Sequence, residues 1–326
     1  MALTPKPYVV PQVSVIMPMR NASAFVEEAL ASVLQERQVA LEVVVIDDGS
    51  TDNSRQLVEA AQDPRVRILD GPQRGVAACL NLGVSNARGS IIMRCDADDI
   101  YPADRISQQA IWLQQFPQHD AVCGGYQSID VKGQAVALFG VAGVRQTEDI
   151  EAELRTGVTR TSLCTFAMRT SAVVRTGGFR EFFETSSDID FQLRLGEVCR
   201  IGFVPRVTYL YRLHDSSITH SQARLRREFF EVTARKFQLQ RLQRGSDDLQ
   251  DGYPPLPPDA AGAAPSAASQ QIQGMLIGQA WRHFQAGHHR QAISTAWRAV
   301  RTRPSNLASW QALSILILRS ARRQLF

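Results

Sequence analysis

A chain of 326 residues, 44% of them apolar, can bury a sizeable core as one large domain with an appendage or as two modest domains, which excludes a wholly disordered protein. The formal charge of +4, from 36 basic and 32 acidic residues, is too small to imply a nucleic-acid partner, and none is expected. The five cysteines, Cys79, Cys95, Cys123, Cys164 and Cys199, have no metal-ligand spacing and read as reduced thiols; with no signal-peptide pattern before Gln12 and no stretch near the ~20 apolar residues of a bilayer span, the expected location is cytoplasmic.

In chain order, Val13 to Met17 reads as a strand ending at Pro18, followed by apolar positions at helical spacing from Glu27 to Leu34. Leu41 to Ile46 is a continuous apolar run suited to a doubly buried strand, and it stops at Asp47-Asp48-Gly49-Ser50. A helix from about Asp52 to Ala61 follows, then a strand at Val66 to Leu69, a helix at Val76 to Asn86, and a strand from Ser90 to Cys95 that runs into Asp96-Ala97-Asp98-Asp99. This alternation predicts a parallel, doubly wound sheet with its ligand site beyond the carboxyl ends of the strands, where both acidic clusters fall.

Beyond Asp99 the pattern predicts a helix near Ala103 to Phe116, a strand and hairpin within Ala121 to Val141, and a strand over Thr161 to Arg169. A helix over Asp188 to Glu197 and two short strands, Ile201 to Val204 and Thr208 to Arg212, complete this region. Residues 245–270, rich in Pro, Ala, Ser and Asp, read as a linker. The expected domains are therefore 1–244, the linker, and a helical appendage over 271–326.

The carboxylates on alternate positions, Asp96 and Asp98, can both turn toward one oxygen-loving cation, Mn²⁺ or Mg²⁺, that bridges a diphosphate; a solvated turn is the plainer reading. Asp47-Asp48-Gly49 likewise suits an Asp-Gly turn with Asp52 capping the next helix. Two acidic clusters on one sheet edge favour a shared crevice. Asp188 and Asp190 open a helix, where capping is the plain role, and a lone base there suits the activation of a sugar hydroxyl. Pro18-Met-Arg-Asn-Ala22 contains no GxGxxG, so a dinucleotide site is not expected.

Val13-Ser-Val-Ile-Met-Pro18, Val43-Val-Val-Ile-Asp-Asp-Gly-Ser-Thr-Asp52, Arg74-Gly75 with Asn81-Leu-Gly83, Arg88-Gly89 through Asp96-Ala-Asp-Asp99, Gly177-Gly-Phe179 and Tyr211-Arg-Leu-His214 together resemble the family 2 glycosyltransferases, in that family's order, over about Val13 to Ser217. The resemblance implies an α/β GT-A fold, a Rossmann-like mostly parallel sheet flanked by helices. It also implies a metal-dependent, inverting, non-processive enzyme that moves one sugar from a nucleotide-sugar, a UDP-sugar by preference, to a glycan or lipid-linked acceptor hydroxyl. It assigns base recognition to Asp48 with Pro18, Asn21 and Arg74, the DxD element to Asp96 and Asp98 with Asp98 as the direct metal ligand, the catalytic base to Asp188, and positive charge near the diphosphate to Arg212 or His214. Ser187, where many relatives carry an acid, and Gln73, a position commonly Asn, depart from the pattern, and Asp190 is the fallback base. A scaffold of the same fold that binds the nucleotide-sugar without turnover is the alternative. No QxxRW element follows the base, so one sugar per encounter is expected.

In the appendage, Ala280, Gly287, Ala292, Ala296, Ala299 and Pro304 fall at spacings resembling a tetratricopeptide unit. Residues 271–326 hold no Asp or Glu against eight arginines, among them Arg319, Arg322 and Arg323. Core packing with solvated arginines is the plain reading of the last helix. Peripheral contact with an anionic membrane surface, at the inner membrane face, is the sharper one.

Overall fold

The computed structural model describes residues 10–217, 224–259 and 267–324, with the side chains of 224 and 321–324 not included. Contacts divide it into two compact units: Met1–Tyr126, Phe139–Leu210 and Glu228–Pro257 form the first, and Gln127–Leu138, Tyr211–Arg227 and Pro258–Phe326 the second.

The first unit is built on strands β1 (Val13–Met19), β2 (Leu41–Asp47), β3 (Val66–Asp70) and β4 (Ile91–Arg94), which pair in parallel in the order β3-β2-β1-β4. The register aligns Val13 with Leu41 and Ile91, and Met19 with Asp47. Every residue of β2 is buried, the pattern of a strand covered on both faces. Helices α1 (Val26–Leu34), α2 (Ser54–Ala60) and α3 (Val76–Asn86) make the crossovers. Gly83 of α3 lies so close to β1 and β2 that a Cβ would meet Ile16 at 2.3 Å and Ile46 at 2.9 Å, and a Cβ on Gly89 would meet the Ser14 backbone nitrogen at 2.6 Å. These two glycines of the motif set therefore serve close packing on the sheet.

After α4 (Arg105–Gln115) the sheet turns antiparallel: β5 (Ala121–Ile129), β6 (Ala135–Phe139), β7 (Glu148–Asp149), β8 (Ala167–Arg169) and β9 (Ile201–Arg212) extend it as β4-β8-β5-β9-β7, with β6 on β5. Short helices α5 (Glu151–Arg155) and α6 (Thr170–Arg175) precede α7 (Ser187–Val198). The structure differs from expectation at two strands. Only Ala167–Arg169 of the run Thr161 to Arg169 is extended, because Ser162 caps a 3₁₀ turn over Leu163–Thr165. The two short strands over 201–212 are one strand: Pro205 is tolerated because β7 pairs only with Gly202 and Phe203, so past them no amide is needed for that ladder.

Helix α8 (Arg224–Arg244) lays Phe230, Ala234 and Phe237 against Phe183 and Leu193. Of the segment expected as a linker, residues 245–257 belong to the first unit, and Asp247 is fully buried there; residues 260–266 lie outside the described residues. The second unit contains α9 (Ala268–Gln285), α10 (His289–Thr302) and α11 (Leu307–Gln324), which share a core of Ala280, Phe284, Ala296 and Leu316.

Candidate functional site

Because β1, β2 and β4 run parallel and in register, the segments after Met19, Asp47 and Arg94 leave the sheet at one edge. Two of these loops are laced together. Asn21, held at φ 51°, accepts the Thr51 amide through Oδ1 at 2.7 Å and donates its own amide to Ser50 Oγ at 3.1 Å. The Ser23 amide donates to Asp52 at 3.1 Å, and Asp52 also accepts from the Ser54 amide at 3.0 Å. Burial works against the Asp52 charge, yet the hydrogen bonds from Ser54 and Ser23 together outweigh it and bring its pKa down to about 2.

Asp48 is buried and accepts the backbone amides of Gln73 at 2.6 Å and Gly75 at 3.2 Å. Its carboxylate thus organises the loop that carries Arg74, which is exposed and paired with Glu181 at 3.2 Å. Pro18 sits half-buried at the end of β1. The structure therefore brings Pro18, Asn21, Asp48 and Arg74 to one sheet edge.

Asp96 is gripped by both arms of Arg94, Nε to Oδ1 at 2.6 Å and a terminal guanidinium nitrogen to Oδ2 at 2.9 Å. Burial and the neighbouring Asp98 charge push its carboxyl above the ordinary value against the pull of Arg94. The Asp96 amide donates to the Tyr209 hydroxyl at 3.0 Å, and the Tyr101 hydroxyl donates to the Arg94 carbonyl at 2.7 Å. Since β8 runs antiparallel to β4, with Ala167 opposite Met93, the turn before β8 comes up beside the acidic cluster, and the Cys164 thiol donates to Asp96 Oδ2 at 3.6 Å. Buried Arg105 holds that turn, donating to the carbonyl of Cys164 at 2.5 Å and stacking 3.9 Å over the Tyr101 ring. Sequence reasoning missed this frame; the only trace was an arginine three residues after Pro102 and six after Asp99.

Asp188 is half-buried in the first turn of α7, after Ser186 at φ 60°. Burial and the Asp188 charge push the Tyr126 hydroxyl up to about 12, and Asp188 also adds to the upward shift of Cys164, which burial dominates. Asp190 is fully buried, bound by Arg194 at 2.8 Å and approached by Arg180 at 3.6 Å, so it is committed to an internal ion pair. Arg212 and His214 fall in the second unit, where Arg212 donates to the Val131 carbonyl at 3.2 Å and His214 Nδ1 pairs with Ser216 Oγ at 2.8 Å.

Among the described residues no group of three His, Cys, Asp or Glu side chains is assembled as a metal cage. Asp96 is engaged by Arg94, and the donors that Asp96 and Asp98 offer are carboxylate oxygens, the type that hard cations take.

The family model described as glycosyl transferase family 2 matches residues 14–182. The chain belongs to glycosyl transferase family 2. It is 27% identical over 248 residues to a chondroitin synthase of Pasteurella multocida, an alignment covering 74% of this chain and 25% of that protein. It is also 28% identical over 243 residues to the glycosyltransferase GlyG of Streptococcus pneumoniae, covering 69% and 79%. The chain spans about a quarter of the length of the synthase. Among solved structures, S. aureus TarS 1-349 in complex with UDP-GlcNAc superposes with a TM-score of 0.60 at 18% identity, covering 89% of this chain and 81% of that one. The fold of this family 2 member is GT-A, with C-terminal helices.

Proposed function

We propose that this chain transfers a single sugar from a UDP-sugar to an acceptor hydroxyl with inversion, in the synthesis of a cell-envelope glycan or glycolipid. The observation that carries the reading is the arrangement of Asp48, Asp96 and Asp98 beyond one edge of β1, β2 and β4. TarS, of like fold, binds UDP-GlcNAc and UDP, which supports a uridine nucleotide as donor.

In this reading Asp48, Pro18, Asn21 and Arg74 receive the base. Asp98, with Asp96 behind it, would hold Mn²⁺ or Mg²⁺ with the diphosphate, and the bound cation supplies charge stabilisation to the leaving group. Asp188 removes the acceptor hydroxyl proton as that oxygen bonds to the anomeric carbon. The carbon–phosphate oxygen bond breaks on the opposite face, the nucleoside diphosphate leaves with its electron pair, and the configuration inverts.

A donor screen that reads nucleotide release, with Mn²⁺ or Mg²⁺ and a cell-envelope acceptor extract, tests this directly. Asp188→Asn is expected to keep donor affinity and lose transfer by about 10²- to 10⁴-fold. Asp98→Ala, or chelation of the cation, is expected to reduce release to background. Full transfer by Asp188→Asn defeats the base assignment, full activity in chelator defeats the metal, and no turnover with tight donor binding leaves a nucleotide-sugar-binding scaffold.

A further inference from the structure

Helix α11 turns Leu313 and Leu316 into the shared core of the C-terminal helices, yet its opposite face is also apolar. Leu307, Trp310, Ile315, Ile317 and Leu318 are between 40 and 75% exposed there. Trp297 of α10, itself exposed, meets Trp310 edge-on at 5.8 Å and extends the patch. Arg301 and Arg290 lie exposed one and two turns from Trp297, respectively, on the same stripe of α10. Arg319 is exposed too, its guanidinium 5.8 Å from the Trp281 ring. From residue 260 to the last there is no Asp or Glu; the side chains of Arg322 and Arg323 lie outside those described.

We infer that this face of α10 and α11 docks on an anionic lipid bilayer, lying on the surface with its aliphatic and tryptophan side chains among the acyl-chain ends of the headgroups. The charge selects the occupant. A second copy of the same face would bring arginine against arginine with no carboxylate to offset it, whereas anionic headgroups complement every arginine at the rim. The chemistry of the patch selects it as well, since Trp with Leu and Ile beside Arg is the composition of an interfacial helix. No helix among the described residues is long and apolar enough to cross a membrane, which fits a helix that lies on the surface. The inference stands apart from the transfer reaction, being read from the second unit alone.

Sedimentation of the full chain with vesicles of phosphatidylcholine alone, or with about 30% phosphatidylglycerol, tests it. Binding is expected only to the anionic vesicles, with a blue shift of tryptophan emission and release at high salt. Leu318→Glu is expected to abolish binding. The double variant Arg290→Gln, Arg301→Gln is expected to weaken it about 30-fold, with an unchanged melting temperature, since both arginines are exposed. The proposal fails if anionic vesicles do not bind, leaving an acidic protein as the occupant. It fails if both vesicle types bind equally, or if the chain self-associates through this face in a way that Leu318→Glu removes.

Discussion

Asp48 shows how one carboxylate serves both fold and site. It accepts two backbone amides from the loop that carries Arg74, so a change there alters the loop before it alters any ligand contact. Asp48→Ala is expected to weaken donor binding and to cost about 1–2 kcal/mol of stability, because two backbone amides of the Arg74 loop lose a charged acceptor; calorimetry and denaturant titration read the two effects separately. Asp52 makes a prediction with a definite sign. Its folded pKa, near 2, lies below the ordinary carboxylate value, so its contribution is fully present above about pH 4 and is lost as pH falls through about 2. The melting-temperature difference between the natural chain and Asp52→Asn should therefore shrink between pH 5 and 2. Among the positive-φ residues, Asn21, Gln73 and Ser186 all stand in loops of the candidate site, the pattern of backbone strain held at a working surface by surrounding bonds.

At the scale of elements, the entry to α7 is held by a buried ion network rather than by its own cap, since Ser186 makes no side-chain capping bond. Arg194 binds Asp190 and donates to the carbonyls of Thr176 and Gly178, while Asp247 binds Arg180 at 2.7 Å and Arg241 at 2.6 Å. Asn81 of α3 completes the clamp, accepting the Phe179 amide and donating to the Phe179 carbonyl, each at 2.8 Å. Two motif segments far apart in the chain, at Asn81 and at Gly178–Phe179, are thus tied to the network that holds α7. Asp247→Ala removes a fully buried acid from two partly buried arginines and is expected to cost about 3 kcal/mol in equilibrium unfolding. A cost below ~1 kcal/mol would mean that the segment after α8 is not integral to the first unit.

For the whole molecule, all five cysteines are free and buried, and burial raises each thiol pKa, that of Cys79 to about 12. The native chain should resist a thiol reagent at neutral pH and expose all five groups only in denaturant. Rapid native labelling at Cys164 would show that the turn bonding Asp96 opens on the timescale of the reagent.

The sheet and its helices were legible because β2 is a continuous apolar run, α3 has helical periodicity between Gly75 and Ala87, and the acidic clusters directly end strands; local pattern and burial point the same way there. The order of motifs was likewise enough to name the family. What the sequence could not display were pairings made across the chain: Arg94 on Asp96 with Tyr209 behind it, Arg105 under Cys164, and Asp247 reaching Arg180 and Arg241 from a stretch whose Pro and Ala content reads as a spacer. Composition and periodicity report which residues can be buried, whereas the partner of a buried charge is chosen by strand order and register. Local pattern by itself determined the nucleotide-binding class of fold and the carboxylates at its edge. Only the tertiary structure decided that Asp190 is locked in an ion pair while Asp188 is left half-buried at the start of the helix, because a desolvated carboxylate must find its arginine wherever the packing puts one.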